Sequence, residues 1–291
     1  MNPVRAWLAY LVLVLAGGAT VAPGLWHGVH QLWPDSLIAA QPFHRYVHRS
    51  LLVLAIMGLW PLGKIAGFSK GFGMEWGRFP VQCFRFGWLM GFASLGIVAI
   101  ASILVGQRHL HVPDSALTWL TEPLKALATA IGVGLVEELL FRGALFTSLR
   151  HRHGWLMAAG WSSAIYALVH FFRRTPEPLE VTFWSGWVIL GQMLAGFWDL
   201  SALVPGFFSL FLVGWILAVA RERTGGLTAS VGMHSAWIFW LKLYAFLTIS
   251  AQDSTTGFWG TTKMIDGWIA FVVLAATLFF VRLQMVLKQK I

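Results

Sequence analysis

The sequence contains little of what a soluble domain or a disulfide-stabilised secreted protein needs. Charged residues make up 11% of the 291 residues, against about 25% in a typical soluble domain. Cys83 is the only cysteine, which excludes an internal disulfide framework and any metal site built from several cysteines. The only asparagine, Asn2, precedes a proline, so no N-glycosylation sequon exists. These absences favour a membrane protein.

Hydrophobic residues are abundant instead: they make up 57% of the chain, which has 17 tryptophans and a mean hydropathy of +0.69. The formal net charge is +9, but the basic residues are scattered between apolar segments and form no dense patch. Membrane topology therefore explains the charge better than nucleic-acid binding does. We predict an integral protein of the lipid bilayer with no nucleic-acid partner. The 14 arginines against seven lysines and the missing sequon favour a bacterial inner membrane.

Eight apolar segments approach the roughly 20 residues that a transmembrane helix needs. They cover approximately residues 4–23, 47–68, 84–106, 118–149, 155–173, 203–221, 226–249 and 266–287. We predict an all-α bundle of about eight transmembrane helices that forms one integral membrane domain over residues 1–291. The further apolar segment 179–200 contains three glycines and three tryptophans, which favours an interfacial or re-entrant segment over a clean span.

The basic residues are distributed unequally between the two sides of this bundle. Assigning loops alternately to the two sides places 13 basic residues on the side of the termini and seven on the other, with Lys242 inside a span. Basic residues concentrate in short cytoplasmic loops. We therefore predict that both termini are cytoplasmic.

Two carboxylates and a guanidinium interrupt the fourth apolar segment, at Glu137, Glu138 and Arg142. An ionisable side chain near the bilayer centre costs roughly 2.5 to 3.5 kcal/mol, so these groups must pair, line a cavity or take part in chemistry. Glu138 and Arg142 are separated by four residues and share a helical face, which predicts an ion pair. Glu137 lies about 100° round the helix and stays free. A free carboxylate in a cavity can deprotonate a water molecule as a general base.

His170 and His234 are further polar residues inside the predicted spans. At about 1.5 Å per residue from the predicted cytoplasmic ends, Glu137, His170 and His234 lie roughly 18, 22 and 12 Å deep. Side chains from three helices at similar depth can converge on one cavity. Two imidazoles there can donate hydrogen bonds to the oxyanion that forms when water attacks an amide carbonyl.

Together these residues form three motifs in chain order. They read Glu137-Glu138-x-x-x-Arg142, Tyr166-x-x-x-His170 and His234. This combination resembles the CAAX protease and bacteriocin-processing (CPBP or Abi) family of intramembrane glutamic endopeptidases, related to type II CAAX prenyl proteases, over a motif-bearing core of about residues 118–245. The resemblance implies a substrate that is a membrane-associated protein or peptide, cleaved near its C-terminus. Carried over residue by residue, it implies catalytic residues Glu137, His170, His234 and Glu138, supported by Arg142 and Tyr166.

Two positions depart from the family pattern. Tyr166 stands where the second motif usually begins with phenylalanine, and it adds a hydroxyl on the helical face of His170. Ile238 stands where the third motif commonly has asparagine, so one oxyanion donor is missing. Losing such a donor costs about 10² to 10³ in rate in a well-studied hydrolase. Either Ser235 or Tyr166 replaces it, or the activity is weakened or absent.

Three functional classes stay open at this point. The leading hypothesis is the endopeptidase, and the alternative is a non-proteolytic scaffold, immunity or maturation partner, which Ile238 favours. A transporter or proton relay ranks last. No metal and no cofactor are predicted, although zinc on Glu137, His170 and His234 is a variant, since two histidines and a carboxylate can hold catalytic zinc.

Four more histidines lie in or beside the first predicted loop of the opposite side, at positions 27, 30, 44 and 48. They are interpreted as solvated residues, with a metal site as the weaker alternative.

Overall fold

The computed structural model describes residues 3–66, 73, 75–111, 113, 115–172, 176–251, 256–260 and 263–288. The described residues are 80% helical with almost no strand, which confirms the predicted all-α class. The helices are α1 (Pro3–Leu32), α2 (Phe43–Ala66), α3 (Pro80–Leu104), α4 (Ala116–Glu138), α5 (Thr147–Val169), α6 (Ser185–Leu194), α7 (Leu200–Thr224), α8 (Thr228–Leu247), α9 (Thr256–Trp259) and α10 (Trp268–Lys288). Among the described residues, strand is confined to β1 (Arg108–Leu110), which pairs antiparallel with β2 (Thr248–Ser250).

Among the residues that the structure describes, three helices are long and apolar enough to cross a membrane. They cover Arg5–Leu32, Pro80–Leu104 and Leu200–Thr224, and α10 contains a shorter apolar helix over Trp268–Gln284. The protein is therefore a membrane protein, while the count of eight spans and the cytoplasmic position of both termini stay predictions. Helix α6 covers part of the segment 179–200, and its ten residues rise only about 15 Å, half the thickness of the hydrocarbon core.

The described residues fall into two compact units, and the prediction of a single domain stays a prediction. The first unit comprises Met1–Ser69 and Phe171–Asp199. Its core is formed by α1, α2 and α6 through the buried side chains Ala22, Phe43, Tyr46, Val47, Ile189 and Met193. Helix α1 continues through Pro23 to Leu32, beyond its predicted end, because Trp26 and Val29 of the extension pack against this core.

The second unit comprises Lys70–His170 and Leu200–Ile291 and contains all the motif residues. In it α3 and α8 approach through their backbones. A Cβ atom at Gly87 would lie 2.1 Å from the carbonyl oxygen of Ala229, and one at Gly91 would lie 2.5 Å from that of Met233. Glycine at both positions lets the helices approach more closely than any side chain allows. This contact holds α8, and with it His234, inside the unit.

The polypeptide from Ala116 to Val169 remains largely helical but changes geometry twice. Between α4 and α5 lies a π-helix, Leu139–Phe146, which contains Arg142. Short π-helical insertions are rare and frequent at functional sites. Further on, Gly154 adopts φ 75° and ψ 168° and breaks α5 near its start. A positive φ is accessible to glycine at little cost, so the sequence can turn there between its two predicted spans.

Candidate active site

The ion pair predicted between Glu138 and Arg142 is present at the junction of α4 and the π-helix. The Arg142 Nη1 atom donates to Glu138 Oε1 at 3.0 Å, and both side chains are 0% exposed. The Arg142 Nη2 atom also donates to the carbonyl oxygen of Gly214 on α7 at 3.1 Å. A buried pair needs such additional hydrogen bonds to offset desolvation of both charges.

Glu138 has a second partner that its sequence spacing did not indicate. His234 of α8 donates from Nδ1 to Glu138 Oε1 at 2.9 Å. The two residues are 96 positions apart, and no sequence signal gives the orientation of the imidazole ring. Glu138 therefore links the first motif to the third, because its Oε1 atom accepts hydrogen bonds from both Arg142 and His234.

Glu137 is separate from this pair, as its helical position predicted. Its Oε2 atom is buried and has no hydrogen-bond partner among the described residues. This atom lies 3.6 Å from His234 Nε2 and 3.8 Å from His170 Nε2. Both distances are too long for direct hydrogen bonds. Glu137 of α4, His170 at the end of α5 and His234 of α8 thus lie close together, as their similar predicted depths allowed.

The protons on the two imidazoles can be assigned from their other partners. His170 Nδ1 lies 2.7 Å from the carbonyl oxygen of Tyr166, which can only accept, so Nδ1 carries a proton. His234 Nδ1 carries one as well, because it faces Glu138 Oε1, which also accepts from Arg142. In the neutral state each ring consequently presents a bare Nε2 toward Glu137. Either Nε2 can donate a hydrogen bond only after its ring gains a second proton.

Tyr166 places a hydroxyl beside these groups. Its Oη atom is 3.3 Å from His234 Nε2, and its side chain is buried. The ring is held by the Arg142 guanidinium, whose Cζ lies 4.7 Å from the ring centroid, and by the edge-to-face contact with Phe141 at 5.2 Å. Two contacts that do not involve the hydroxyl therefore fix the ring, and the hydroxyl points at the site.

Ser235, the other predicted replacement for the missing oxyanion donor, is placed differently. Its hydroxyl is buried without a hydrogen-bond partner among the described residues and lies against α4 near Gly134, where an added Cβ would be 2.6 Å away. Ile238 follows His234 by one helical turn and has no polar group to offer. Tyr166 is thus the better-placed hydroxyl.

Loop histidines of the first unit also contact protein groups, and their interpretation as solvated residues stays a prediction. His27 Nε2 lies 3.0 Å from the carbonyl oxygen of Val181. His30 Nδ1 bonds to the carbonyl oxygen of Trp26, and His44 contacts the Glu177 carboxylate. Within the part of the chain that the structure describes, no group of three or more His, Cys, Asp or Glu side chains is placed to hold a metal ion.

One comparison with known proteins, the match to a family model, agrees with the motifs. No curated protein gives a significant match to the chain. Residues 118–240 match the family model described as Rce1-like, type II CAAX prenyl endopeptidase, and this range includes all six motif residues. The predicted resemblance is therefore confirmed: residues 118–240 are similar to the Rce1-like family of type II CAAX prenyl endopeptidases.

Proposed function

We propose that the protein is an intramembrane glutamic endopeptidase that cleaves a membrane-associated protein or peptide near its C-terminus. The observation that carries this proposal is the unpartnered Oε2 atom of Glu137, which faces His170 and His234 within 3.8 Å. The Glu137 and His170 side chains are 26% and 27% exposed, so a substrate can reach them. The family match supports a protease of the CAAX type.

In the first step Glu137 acts as general base. A water molecule between Oε2 and the two Nε2 atoms gives one proton to Glu137, and its oxygen attacks the carbonyl carbon of the scissile amide. The C=O π electrons move onto the oxygen, which becomes an oxyanion. A protonated imidazole donates from Nε2 to this oxyanion, while its Nδ1–H continues to donate to Tyr166 O in His170 or to Glu138 Oε1 in His234.

In the second step the proton returns to the leaving group. Protonated Glu137 donates to the amide nitrogen as the tetrahedral intermediate collapses, the C–N bond breaks, and a carboxylic acid and an amine leave. Glu138 does not contact the substrate in this scheme, since its side chain is 0% exposed. Glu138 is instead a positioning residue, because it holds the His234 ring in the required tautomer and orientation.

Tyr166 supplies the donor that Ile238 lacks. When both imidazoles are protonated, His170 donates from Nε2 to the oxyanion and His234 donates from Nε2 to the Tyr166 oxygen, which leaves the Tyr166 hydroxyl proton free to bond to the oxyanion. We expect Tyr166→Phe to lower kcat about 10²-fold, the loss typical of one oxyanion donor. The free energy of unfolding should change little, since Phe keeps the ring contacts with Arg142 and Phe141. Cleavage of a reporter peptide by the purified protein measures kcat.

Tyr244→Phe is the matched control for that experiment. It also removes a buried hydroxyl, one that bonds to Ser102 at 2.6 Å, and it should leave kcat unchanged. Adding Ile238→Asn to Tyr166→Phe should recover part of the rate by restoring an amide donor one turn after His234. A wild-type kcat for Tyr166→Phe would show that the oxyanion has another donor.

A non-proteolytic scaffold or maturation partner is the second candidate, which Ile238 favours. Quantitative proteomics of membrane fractions from cells carrying the wild type, Glu137→Gln or Glu122→Gln separates the two functions. Under the protease hypothesis a membrane-associated precursor accumulates uncleaved only with Glu137→Gln, because Glu122 of the same helix pairs with Lys125 outside the site. Identical peptide profiles in all three strains, at equal protein levels, would support the scaffold. Cleavage that persists in the presence of a strong chelator would exclude the hypothesis of a catalytic zinc ion on Glu137, His170 and His234.

A further inference from the structure

A cavity of about 580 Å³ lies in the unit that contains the candidate active site, among α5, α7 and α10. It is lined by Trp155, Leu156, Val219, Glu222, Arg223 and Arg282. The reaction proposed above uses none of these residues. The cavity combines apolar walls with two guanidinium groups. It therefore fits a ligand that has an anionic part and an apolar part.

The two arginines reach the cavity because α7 and α10 run side by side in the same direction. The Ser209 hydroxyl of α7 donates to the carbonyl oxygen of Gly267, just before α10, at 3.1 Å. Arg223 follows Ser209 by 14 residues, and Arg282 follows Gly267 by 15 residues. At 1.5 Å per residue they lie about 21 and 22 Å beyond that shared level. Both guanidinium groups are therefore at the same height.

The carboxylate in the cavity does not neutralise them. Glu222 receives two hydrogen bonds from Arg150, from Nε and Nη2, each 2.6 Å long. This bidentate pair satisfies the Glu222 charge from outside the cavity lining. Among the described residues, no carboxylate pairs with Arg223 or Arg282. The lining therefore carries two uncompensated positive charges.

The surroundings of the arginines are those of a lipid headgroup site. Guanidinium groups match the oxygens of a phosphate. Tryptophan is enriched at the headgroup level of membranes, and Trp155 is one of the lining residues. On α10 the side chains of Phe279 and Phe280, which precede Arg282 by less than one turn, are 65% and 52% exposed. An acyl chain can lie along them. Basic pockets between membrane helices bind anionic headgroups in this way. We infer that this cavity binds the phosphate headgroup of an anionic phospholipid.

Native mass spectrometry of the full-length protein released from nanodiscs tests the inference. The nanodiscs contain phosphatidylcholine with an increasing fraction of phosphatidylglycerol. We expect the wild type to retain one phosphatidylglycerol molecule selectively. Arg223→Gln/Arg282→Gln should bind it roughly 30-fold more weakly, because each basic residue near anionic lipid contributes about one kcal/mol. Arg223→Lys/Arg282→Lys should lie between the two, since it keeps the charge and loses the planar fork.

The matched control is Arg78→Gln/Arg152→Gln, which removes two exposed arginines of the same unit that do not line the cavity. Its lipid affinity should stay within about twofold of the wild type. Equal weakening by the control and cavity variants would contradict the inference, as would a cavity variant with wild-type affinity. Addition of inorganic phosphate to the nanodiscs should not displace the lipid. Full displacement would assign the cavity to a free anion and overturn the inference.

Discussion

Replacing Glu137 with glutamine is expected to lower kcat for peptide cleavage about 10³-fold, within the range that a positioned general base contributes. Glutamine has nearly the same shape but cannot take a proton from water. The Glu137 carboxylate makes no hydrogen bond through Oε2 and is 26% exposed, so the change leaves no partner unsatisfied. The free energy of unfolding should therefore stay within about 0.5 kcal/mol of the wild type. Single-turnover cleavage of a reporter peptide in proteoliposomes measures the rate.

Glu122→Gln is the control for this loss, since Glu122 lies on α4, like Glu137, and pairs with the exposed Lys125 three residues later. We expect wild-type cleavage from it. A Glu137→Gln protein that retains more than a tenth of the wild-type kcat would contradict the assignment of Glu137 as the base. A second result sharpens the test: KM should change little, because the proposed role of Glu137 lies in the transition state.

The sequence predicted the parts of this site that depend on helical periodicity and on motifs. The spacing of Glu138 and Arg142 was sufficient to predict the ion pair. Counting residues along the predicted spans was sufficient to predict a similar depth for Glu137 and His170. These inferences succeed because a helix converts sequence distance directly into angle and height.

What the sequence could not give are the contacts that depend on the orientation of neighbouring helices. The Arg142 bond to the carbonyl oxygen of Gly214 and the His234 bond to Glu138 join residues 72 and 96 positions apart. The extension of α1 past Pro23 was also missed. Proline and glycine at positions 23 and 24 indicate a helix end locally, yet packing of Trp26 and Val29 against the core of the first unit outweighs that preference.

Replacing Arg142 with methionine is expected to destabilise the protein by about 3 to 5 kcal/mol, the cost of leaving one buried charge without its partner. Glu138 would lose its guanidinium partner in a position that is 0% exposed, although His234 would still donate to it. Denaturant unfolding in mixed micelles measures this difference. Arg150→Met is the matched control: it breaks a bidentate pair with Glu222 in which the Arg150 side chain is 46% exposed, and it should cost less than about 1 kcal/mol.

A double variant separates stability from catalysis at the same position. Glu138→Leu/Arg142→Met removes both charges, so it should be considerably more stable than Arg142→Met alone, since well-packed apolar residues can replace a buried ion pair at little cost. It should still be inactive, because His234 loses the carboxylate that orients its ring. Breaking an exposed ion pair costs less than about 1 kcal/mol. If the free energy of unfolding of Arg142→Met were also within about 1 kcal/mol of the wild type, that result would contradict a structural role for the ion pair. Wild-type cleavage by the stable double variant would instead show that Glu138 is not needed to position His234.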